Sequence, residues 1–337
     1  MKVLVTGGAG YIGSHVCLAL SARGHRVVIV DSFVNSSRGV VARLERLAGH
    51  AIEVHELDLR DEPAMRAMMI AGGFDAVVHC AGLKAVGESC ERPEEYFDNN
   101  VGGSRVLFDA MRAAGVASIV FSSSASVYGE AKTLPVGEDA FLRPTNPYAE
   151  TKRVVEEMLM DLSKADAAFL SLSLRYFNPV GAHPSGLIGE APAGRPNNLM
   201  PMICRGAAGD EPCLSIFGED WPTPDGSGVR DYLHVSDLAR AHVDALDYLR
   251  RPERRSAINL GTGRGVSVKE LIHSFERVTG ERVPFVVAPR RAGDVASLYA
   301  DAALAHQELG WSAALSIEDM CRDAWRWESR RKLMEAG

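Results

Sequence analysis

Two side chains one helical turn apart, Tyr148 and Lys152, have the types and spacing that proton transfer needs. A separation of four residues puts them on one face of a predicted helix that runs to about Ala165. Tyrosine is ordinarily a poor base because its pKa is about 10, but a neighbouring ammonium group favours the phenolate. Ser124, which follows the predicted strand Ser118–Ser122, offers a hydroxyl that can hydrogen-bond a reacting alcohol and pass on its proton. These residues predict acid–base chemistry on an alcohol.

A glycine-rich turn near the start of the chain supplies the second motif. The strand-like segment Lys2–Thr6 leads into Gly7, Gly10 and Gly13, which open the helical pattern Tyr11–Arg23. In a dinucleotide-binding turn the first glycine permits the tight bend, the second lets the backbone approach a pyrophosphate, and the third lets helix and strand pack closely. Glycines alone also occur in ordinary turns, so the elements around them decide the interpretation.

Asp31 completes this fingerprint because it ends the second predicted strand, Arg26–Asp31. A carboxylate at this place is positioned for the ribose hydroxyls of adenosine. It also repels a ribose 2′-phosphate, so the sequence favours NAD over NADP, although Arg38 nearby weakens that preference. With the glycine turn and a serine-rich strand in the same chain, Tyr148 and Lys152 are interpreted as catalytic rather than as an exposed helix face. The positive nicotinamide of NAD favours the phenolate in addition to the Lys152 ammonium, so Tyr148 is expected to be a usable base near neutral pH.

Strand-like and helix-like segments alternate through the first half of the chain, which predicts a doubly wound parallel sheet of the Rossmann type. After Arg175 the alternation stops, and residues 178–228 are rich in Pro, Gly and Asn. We therefore predict a first domain over residues 1–177 and a smaller C-terminal α/β substrate domain over residues 178–337, with the chain crossing back later. Further predicted strands are Ala51–Glu56, Ala76–Cys80, Leu170–Arg175, Ala257–Leu260 and Val283–Val287, and further predicted helices are Val268–Thr279 and Ile317–Arg330.

The bulk composition excludes several classes of protein. With 337 residues and 46% hydrophobic content, the chain can bury a large core. A net charge of −7 without a basic run argues against nucleic acid as a partner. Six scattered cysteines suggest neither a metal site nor a disulfide framework. The first residues form neither a signal peptide nor a membrane span, so we expect a cytoplasmic protein with no membrane partner.

Several longer phrases of the sequence resemble the extended short-chain dehydrogenase/reductase family, and within it the epimerases that act on carbon 4 of UDP-hexoses. They are distributed over nearly the whole chain. The phrases are VLVTGGAGYIGSH (Val3–His15), HCAGLKAVGES (His79–Ser89), DNNV (Asp98–Val101), FSSSASVYG (Phe121–Gly129), LRYFNPVGAHPSG (Leu174–Gly186), PNNLMP (Pro196–Pro201), GVRDYLHV (Gly228–Val235) and APRRAGD (Ala288–Asp294).

Carried over by position, the resemblance implies two sets of contacts. Beyond the glycines, it implies NAD contacts from Tyr11, Ile12, Asp31, Ser32, Phe33, Val34, Asn35, Ser36, Asp58, Leu59, Cys80, Ala81, Gly82, Leu83, Lys84, Asn99, Ser124, Tyr148, Lys152 and Phe177. It implies UDP-sugar contacts from Ser124, Asn178, Asn198, Leu199, Phe217, Arg230, Arg291, Asp294 and Leu298. Arginines suit a diphosphate because their planar donors bind it in bidentate geometry. No metal is implied.

The resemblance also implies an activity. It is the interconversion of UDP-galactose and UDP-glucose through a transient 4-keto sugar, in which tightly bound NAD accepts the hydride and returns it to the opposite face. Tyr148 would take the proton from the hydroxyl on carbon 4, relayed through Ser124. A homodimer through helices near Arg92–Ala114 and Tyr148–Ala165 is implied as well. His183 and His234 are interpreted as structural.

Three alternatives remain beside this interpretation. The first is a UDP-N-acetylhexosamine 4-epimerase, because in this family a tyrosine at the position of Leu298 excludes N-acetyl sugars and small residues admit them. Leucine is intermediate, so some activity toward UDP-N-acetylglucosamine is expected while the galactose/glucose pair stays preferred. A nucleotide-sugar 4,6-dehydratase would carry an Asp-Glu pair where this chain has Ala125 and Ser126. A non-catalytic NAD-binding regulator would not need Ser124, Tyr148 and Lys152 together.

Overall fold

The computed structural model describes residues 1–336 except 193, 195, 197, 211, 212 and 292, and its largest element is a parallel sheet. The strands are β1 (Lys2–Thr6), β2 (Arg26–Asp31), β3 (Glu53–Glu56), β4 (Ala76–His79), β5 (Ser118–Ser122), β6 (Leu170–Tyr176), β7 (Asn178–Val180), β8 (Leu214–Phe217), β9 (Val229–Arg230), β10 (Tyr232–His234), β11 (Ala257–Leu260), β12 (Val266–Ser267), β13 (Phe285–Ala288) and β14 (Ser297–Leu298). Seven of them form one sheet in the order β11-β6-β5-β4-β1-β2-β3, with all neighbours parallel. The predicted fold class is therefore confirmed.

Helices cover both faces of this sheet. They are α1 (Tyr11–Ala22), α2 (Arg38–Ala48), α3 (Glu62–Gly72), α4 (Val86–Glu91), α5 (Pro93–Tyr96), α6 (Gly103–Ala113), α7 (Pro147–Ala165), α8 (Leu199–Ala207), α9 (Val235–Tyr248), α10 (Val268–Thr279) and α11 (Ile317–Ala336), with a π-helical turn at Phe97–Gly102 between α5 and α6. Successive residues of β1 point to opposite cores: Val3 and Val5 pack with α1, α2 and α9, whereas Leu4 packs with α3, α6 and α7. A strand buried on both faces needs apolar residues on both, as Val3, Leu4 and Val5 provide in β1.

The later part of the chain builds a second apolar cluster away from the large sheet. Helices α8, α10 and α11 contribute Met200, Phe275 and Cys321, and strand β8 contributes Leu214. The strands here form small sheets, ordered β10-β7, β12-β9-β14 and β13-β8. The described part of the chain has no helix long and apolar enough to cross a bilayer. It also has no group of three or more His, Cys, Asp or Glu side chains arranged to hold a metal ion.

The predicted elements agree with the observed ones except at some ends. Strand β3 begins at Glu53 rather than Ala51, because the Ile52 amide donates to the Glu45 carboxylate at 3.0 Å. Strand β13 begins at Phe285 rather than at residue 283, whose amide donates to a side chain of α10. Smaller differences are that β4 ends at 79, β6 reaches 176, β13 reaches 288, α1 ends at 22 and α11 reaches 336.

The chain returns to the large sheet after residue 178. Strand β11 pairs with β6, and helix α9 packs in the same core as α1. The predicted boundary near residue 177 remains a prediction, and these two elements are where the chain crosses back. Asn178 N, at the start of β7 and just after β6, donates to Asp231 O, just after β9, at 2.9 Å. The ends of these strands therefore lie close together.

Candidate active site

The glycine turn between β1 and α1 is shaped for close approach of the backbone. Gly7 has a φ of +66°, and a Cβ there would lie 2.8 Å from Cα of Ala81. A Cβ on Gly13 would overlap the carbonyl oxygen of Gly7. Helix α1 starts after Gly10, and no described side chain caps it, so the amides of its first turn are available to an anion. This turn fits the pyrophosphate of a dinucleotide.

Asp31 stands beside this turn at the end of β2. Its carboxylate accepts hydrogen bonds from the Ala9 amide at 2.9 Å, the Phe33 amide at 2.9 Å and the Ser36 hydroxyl at 3.0 Å. These bonds fix the carboxylate at the edge of the cavity, where ribose hydroxyls can reach it. Arg38 pairs with Glu56 and stacks on the Phe33 ring, 5.2 Å from its centroid.

Helix α7 carries both predicted catalytic residues on its buried face. Its start is fixed by Asn146, whose side chain accepts from the Ala149 amide at 2.9 Å. The Lys152 ammonium donates to the Ser122 carbonyl at 2.8 Å and lies 6.0 Å from the centroid of the Tyr148 ring. Burial lowers the pKa of Lys152 to about 8. A lysine in this state is close to losing its proton near neutral pH, so its charge depends on its surroundings.

The pKa of Tyr148 in the protein without cofactor is set mainly by burial. Burial raises it above the ordinary value, and the interaction with Ser124 offsets this only in part, because desolvation of the phenolate dominates. The expectation of a favoured phenolate relied on the positive nicotinamide as well as on Lys152, and it stays a prediction for the NAD-loaded protein. A cationic ring next to the phenol would be needed to reverse the direction.

Ser124 is held with its oxygen as an acceptor. The Ser126 hydroxyl donates to Ser124 Oγ at 2.9 Å, and the Ser126 amide donates to the same atom at 3.2 Å. Since a hydroxyl has one proton, that of Ser124 remains free to point toward Tyr148, which lines the same cavity, and the interaction with Ser124 lowers the phenol pKa.

Buried hydrogen bonds on both sides hold the end of β5, next to Ser124. Ser123 donates to the Glu156 carboxylate at 2.5 Å, and Arg175 donates to the same carboxylate at 2.6 Å. On the other side, His242 Nε2 lies 2.8 Å from the Ser122 hydroxyl, and its Nδ1 lies 2.9 Å from the Leu238 carbonyl. Because a carbonyl only accepts, Nδ1 carries the proton and Nε2 accepts from Ser122.

The residues predicted for the sugar nucleotide stand across the cavity on short strands and loops. Arg230 and Leu298 lie on the paired strands β9 and β14. Arg291 lies 5.0 Å from the centroid of the Phe217 ring and is held by Asp294, whose carboxylate accepts at 3.1 Å. Burial lowers the pKa of Arg230, and the charge of Arg291 adds to that effect. Two arginines in one pocket fit a diphosphate.

One cavity of about 1540 Å³ is lined by the glycine turn, Asp31, the Tyr148–Ser124–Lys152 set and the residues predicted for the sugar nucleotide, and it is large enough for two nucleotide-sized ligands. We call the side formed by the ends of β1, β2, β4 and β5 the cofactor wall. The substrate wall is the opposite side, formed by Asn178, Asn198, Leu199, Phe217, Arg230, Arg291, Asp294 and Leu298. Every predicted site residue lines the cavity except Phe33, whose ring turns toward Arg38 and whose backbone amide binds Asp31. The cavity therefore brings the two predicted sets face to face.

A model of the NAD dependent epimerase/dehydratase family matches residues 3–261. The UDP-glucose 4-epimerase of Bacillus subtilis (strain 168) is 50% identical over 329 residues, which cover 98% of this chain and 97% of that protein. The chain belongs to the NAD dependent epimerase/dehydratase family. The epimerase of Neisseria meningitidis serogroup B is 49% identical, with 97% of each chain covered.

Solved structures of family members agree with this assignment. A UDP-glucose-4-epimerase from Stenotrophomonas maltophila with bound NAD and formylated UDP-arabinopyranose has a TM-score of 0.96, with 54% identity and full coverage of both chains. A UDP-glucose 4-epimerase from Bifidobacterium longum in complex with NAD+ and UDP has a TM-score of 0.95 and 44% identity, covering 98% of this chain and 99% of that one.

The structure places two residues in the candidate site that the sequence did not reveal, Ser126 and Glu190. Ser126 donates its hydroxyl proton to Ser124 Oγ, whereas its sequence position argued only against dehydration. Glu190 lies between the two walls and contacts Lys84 and Asn198. A signal for Ser126 was its place two residues after Ser124, where a serine can hydrogen-bond locally. The sequence carries no local signal for Glu190, because its partners Lys84 and Asn198 lie 106 and 8 residues away.

Proposed function

We propose that the protein is an NAD-dependent UDP-glucose 4-epimerase that interconverts UDP-galactose and UDP-glucose. The observation that carries this proposal is the convergence of the Tyr148–Ser124–Lys152 set with Arg230 and Arg291 in one cavity. Relatives named UDP-glucose 4-epimerase that are about half identical over nearly the whole chain support the same reaction. An isomerase of this kind needs a base, a hydride carrier and a firm hold on the nucleotide.

The glycine turn, the uncapped first turn of α1 and the Asp31 carboxylate fit NAD. When bound, NAD supplies the hydride acceptor for carbon 4 and returns the hydride to the opposite face. Tyr148 takes the proton of the 4-hydroxyl through Ser124 and later gives it back. Lys152 adds positive charge beside the phenol, and its bond to the Ser122 carbonyl fixes its ammonium. A bound 4-keto sugar is the intermediate.

The keto sugar must present both faces to the same site while the nucleotide stays anchored. Arg230 and Arg291 hold the diphosphate, and Asn178, Asn198, Leu199 and Phe217 bind the rest of the UDP. Asp294 acts through Arg291, because its carboxylate holds that guanidinium and would repel a phosphate. An anchored nucleotide with a loosely held sugar explains why one base can serve both directions.

The dehydratase alternative is disfavoured at two positions. Elimination of water needs an additional acid–base pair, and this chain has Ala125 and Ser126 where a dehydratase carries Asp-Glu. Ala125 is buried, and Ser126 is engaged with Ser124. A non-catalytic regulator is disfavoured because Ser124, Tyr148 and Lys152 line one cavity together with the substrate arginines, a combination that NAD binding alone does not need.

The decisive experiment is proton NMR of the anomeric sugar signals after UDP-galactose is added to purified, extensively dialysed protein without added NAD. We expect UDP-glucose to appear until the two sugars reach a fixed ratio. A sample that stays unchanged even with NAD added would contradict the proposal, and a 4-keto-6-deoxy product would assign the dehydratase instead.

Three finer properties belong to the same proposal. We propose a role in galactose metabolism, a cytoplasmic location and a homodimer. Free cysteines, six in this chain, support a reducing compartment. Exposed Phe97 and Met160 support a dimer, since they place apolar surface on the two helical segments expected at the interface. Equilibrium sedimentation tests the dimer.

A weaker activity toward UDP-N-acetylglucosamine is the second candidate. Leu298 lines the cavity, is 9% exposed and packs in one cluster with Phe177. Its bulk lies between that of tyrosine and that of small residues. The same NMR experiment with the N-acetyl substrate tests this candidate, and complete inertness would contradict it.

A further inference from the structure

Glu190 lies where the cofactor wall meets the substrate wall. Its Oε1 accepts hydrogen bonds from the Lys84 ammonium and from the Asn198 side-chain amide, each at 2.6 Å. Its side chain is 9% exposed, and its backbone carbonyl accepts from the Trp327 indole at 3.1 Å. A single carboxylate oxygen thus joins one residue from each wall.

The two donors belong to different ligand sites. Lys84 follows the Gly82 turn at the end of β4, and its ammonium lies 5.9 Å from the centroid of the Tyr11 ring on the cofactor wall. Asn198 precedes helix α8 on the substrate wall, as its N-cap residue. Any ligand that moves Lys84 therefore acts on the oxygen that Asn198 uses, and the reverse also holds.

The chemistry of the carboxylate makes this link strong. An ionised Glu only accepts hydrogen bonds, so it can hold an ammonium and an amide together, and such charge-assisted bonds are short. A glutamine at 190 keeps the shape, but its carbonyl is uncharged and its NH₂ cannot accept. The substitution therefore weakens both bonds without opening a large space.

We propose that Glu190 is a positioning residue that couples retention of NAD to binding of the nucleotide sugar. The inference rests on the proposed function, because it takes NAD and a uridine nucleotide as the two ligands. Binding of UDP stabilises Asn198 and, through Glu190, holds Lys84 against the cofactor. The keto intermediate then cannot lose its hydride source while the nucleotide is bound. Coupling of this kind is reciprocal.

The test measures the release of NAD from the NAD-loaded protein with and without saturating UDP. NAD that stays with the protein is quantified after desalting at intervals. We expect UDP to slow NAD release about tenfold in the natural chain and by less than about threefold in Glu190→Gln. UDP affinity, measured by calorimetry, should fall about fivefold in the same variant.

Two further variants complete the design. Glu318→Gln is the control, because Glu318 pairs with Arg277 at 2.7 Å outside the cavity, so this variant should keep the tenfold effect of UDP. Glu190→Asp keeps the charge but is too short for both donors, and it replaces the Gln variant if that one does not fold. It should also reduce the effect below about threefold.

The proposal is overturned if UDP does not slow NAD release in the natural chain. It is also overturned if the folded Glu190 variant keeps the natural effect of UDP. Neither readout involves turnover. A protein that shows the coupling but does not epimerise UDP-galactose contradicts the proposed function alone, and a protein that epimerises without the coupling contradicts this inference alone.

Discussion

The cofactor wall and the substrate wall are built in different ways. The cofactor wall collects residues at the carboxyl ends of neighbouring parallel strands, so each motif is contiguous in sequence and the sheet brings the motifs together. The substrate wall collects single residues from short strands and loops, such as Arg230 on β9 and Leu298 on β14. Its geometry depends on long-range backbone bonds, including Asp231 N to Leu298 O at 3.2 Å.

This difference suggests a division of labour. The cofactor wall is rigid at the backbone level, because its turns leave no space for a Cβ at Gly7 or Gly13. The substrate wall adds side-chain bonds to its long-range backbone bonds, as Asp231 shows: its buried carboxylate accepts from the Thr262 amide and hydroxyl and from the Gly263 amide. A wall that retains its ligand through turnover suits the first design, and a wall that exchanges ligand at each turnover suits the second.

The largest expected effect is the loss of turnover in a variant that still binds both ligands. Tyr148→Phe removes the proposed base, so we expect kcat to fall by about 10³-fold or more, while UDP affinity and retained NAD stay unchanged. NMR turnover, calorimetry with UDP and NAD content measure the three quantities. Activity near that of the natural chain would exclude Tyr148 as the base.

Acid should destabilise the cofactor side of the molecule. Burial lowers the pKa of His15 and of His79 to about 3 and that of His242 to about 4, and these residues lie on α1, β4 and α9. As pH falls below about 6.5 the unfolded chain takes up protons that the folded chain does not. Each histidine therefore lowers the free energy of unfolding by about 1.4 kcal/mol per pH unit, and the three together lower it by about 4 kcal/mol per pH unit.

Urea unfolding at pH 6.5, 5.5 and 4.5 measures this loss. The penalty is zero above about pH 6.5, where these histidines are neutral in both states, and it grows as pH falls toward the folded pKa values. His242→Gln removes one of the three titrating groups, so its slope should be about one third shallower. A free energy that does not change over this range would contradict the burial of neutral histidines.

Adding a methyl group to the glycine turn of the cofactor wall should lower both stability and NAD retention. Gly13→Ala places a Cβ against the Gly7 carbonyl, so we expect a loss of about 2 kcal/mol in stability and release of NAD on dialysis. Gly206→Ala in α8 is the matched control, because its Cβ would meet only Val283 Cγ1 at 3.9 Å. It should keep NAD and gain up to about 1 kcal/mol. Equal behaviour of the two variants would remove the proposed difference between the walls.

The same difference explains what the sequence could predict. The bounds of β1, β2, β5, β11 and α10 are those expected from the pattern, because apolar strands and capped helices are determined locally. The glycine turn and the Tyr148–Lys152 spacing are also local signals. Ends fixed by side chains, such as β13 after residue 283, were not predictable. Family resemblance supplied Arg230 and Leu298, which no local pattern brings together.

Arg230 provides the corresponding test of the substrate wall. Arg230→Met keeps much of the side-chain volume but removes a charged donor, so UDP affinity should fall about thirtyfold. NAD content should stay unchanged. The control is Arg264→Met, since Arg264 is exposed and pairs with Glu270 at 2.9 Å, and such a pair contributes little. A loss of NAD in Arg230→Met would show that the two walls are not independent at this residue.

The smallest effect is expected from substitutions of Leu298, the residue proposed to limit the space beside the sugar. Leu298 is fixed by the pairing of β14 with β9, so a change in its side chain alters volume without moving the backbone. Leu298→Ala should raise the ratio of kcat/KM for UDP-N-acetylglucosamine over UDP-glucose about fivefold, and Leu298→Tyr should lower it by a similar factor. Affinity for UDP itself should not change, because the nucleotide binds elsewhere on the wall. Parallel changes for both sugars would mean that Leu298 supports the pocket as a whole rather than selecting the substituent on carbon 2.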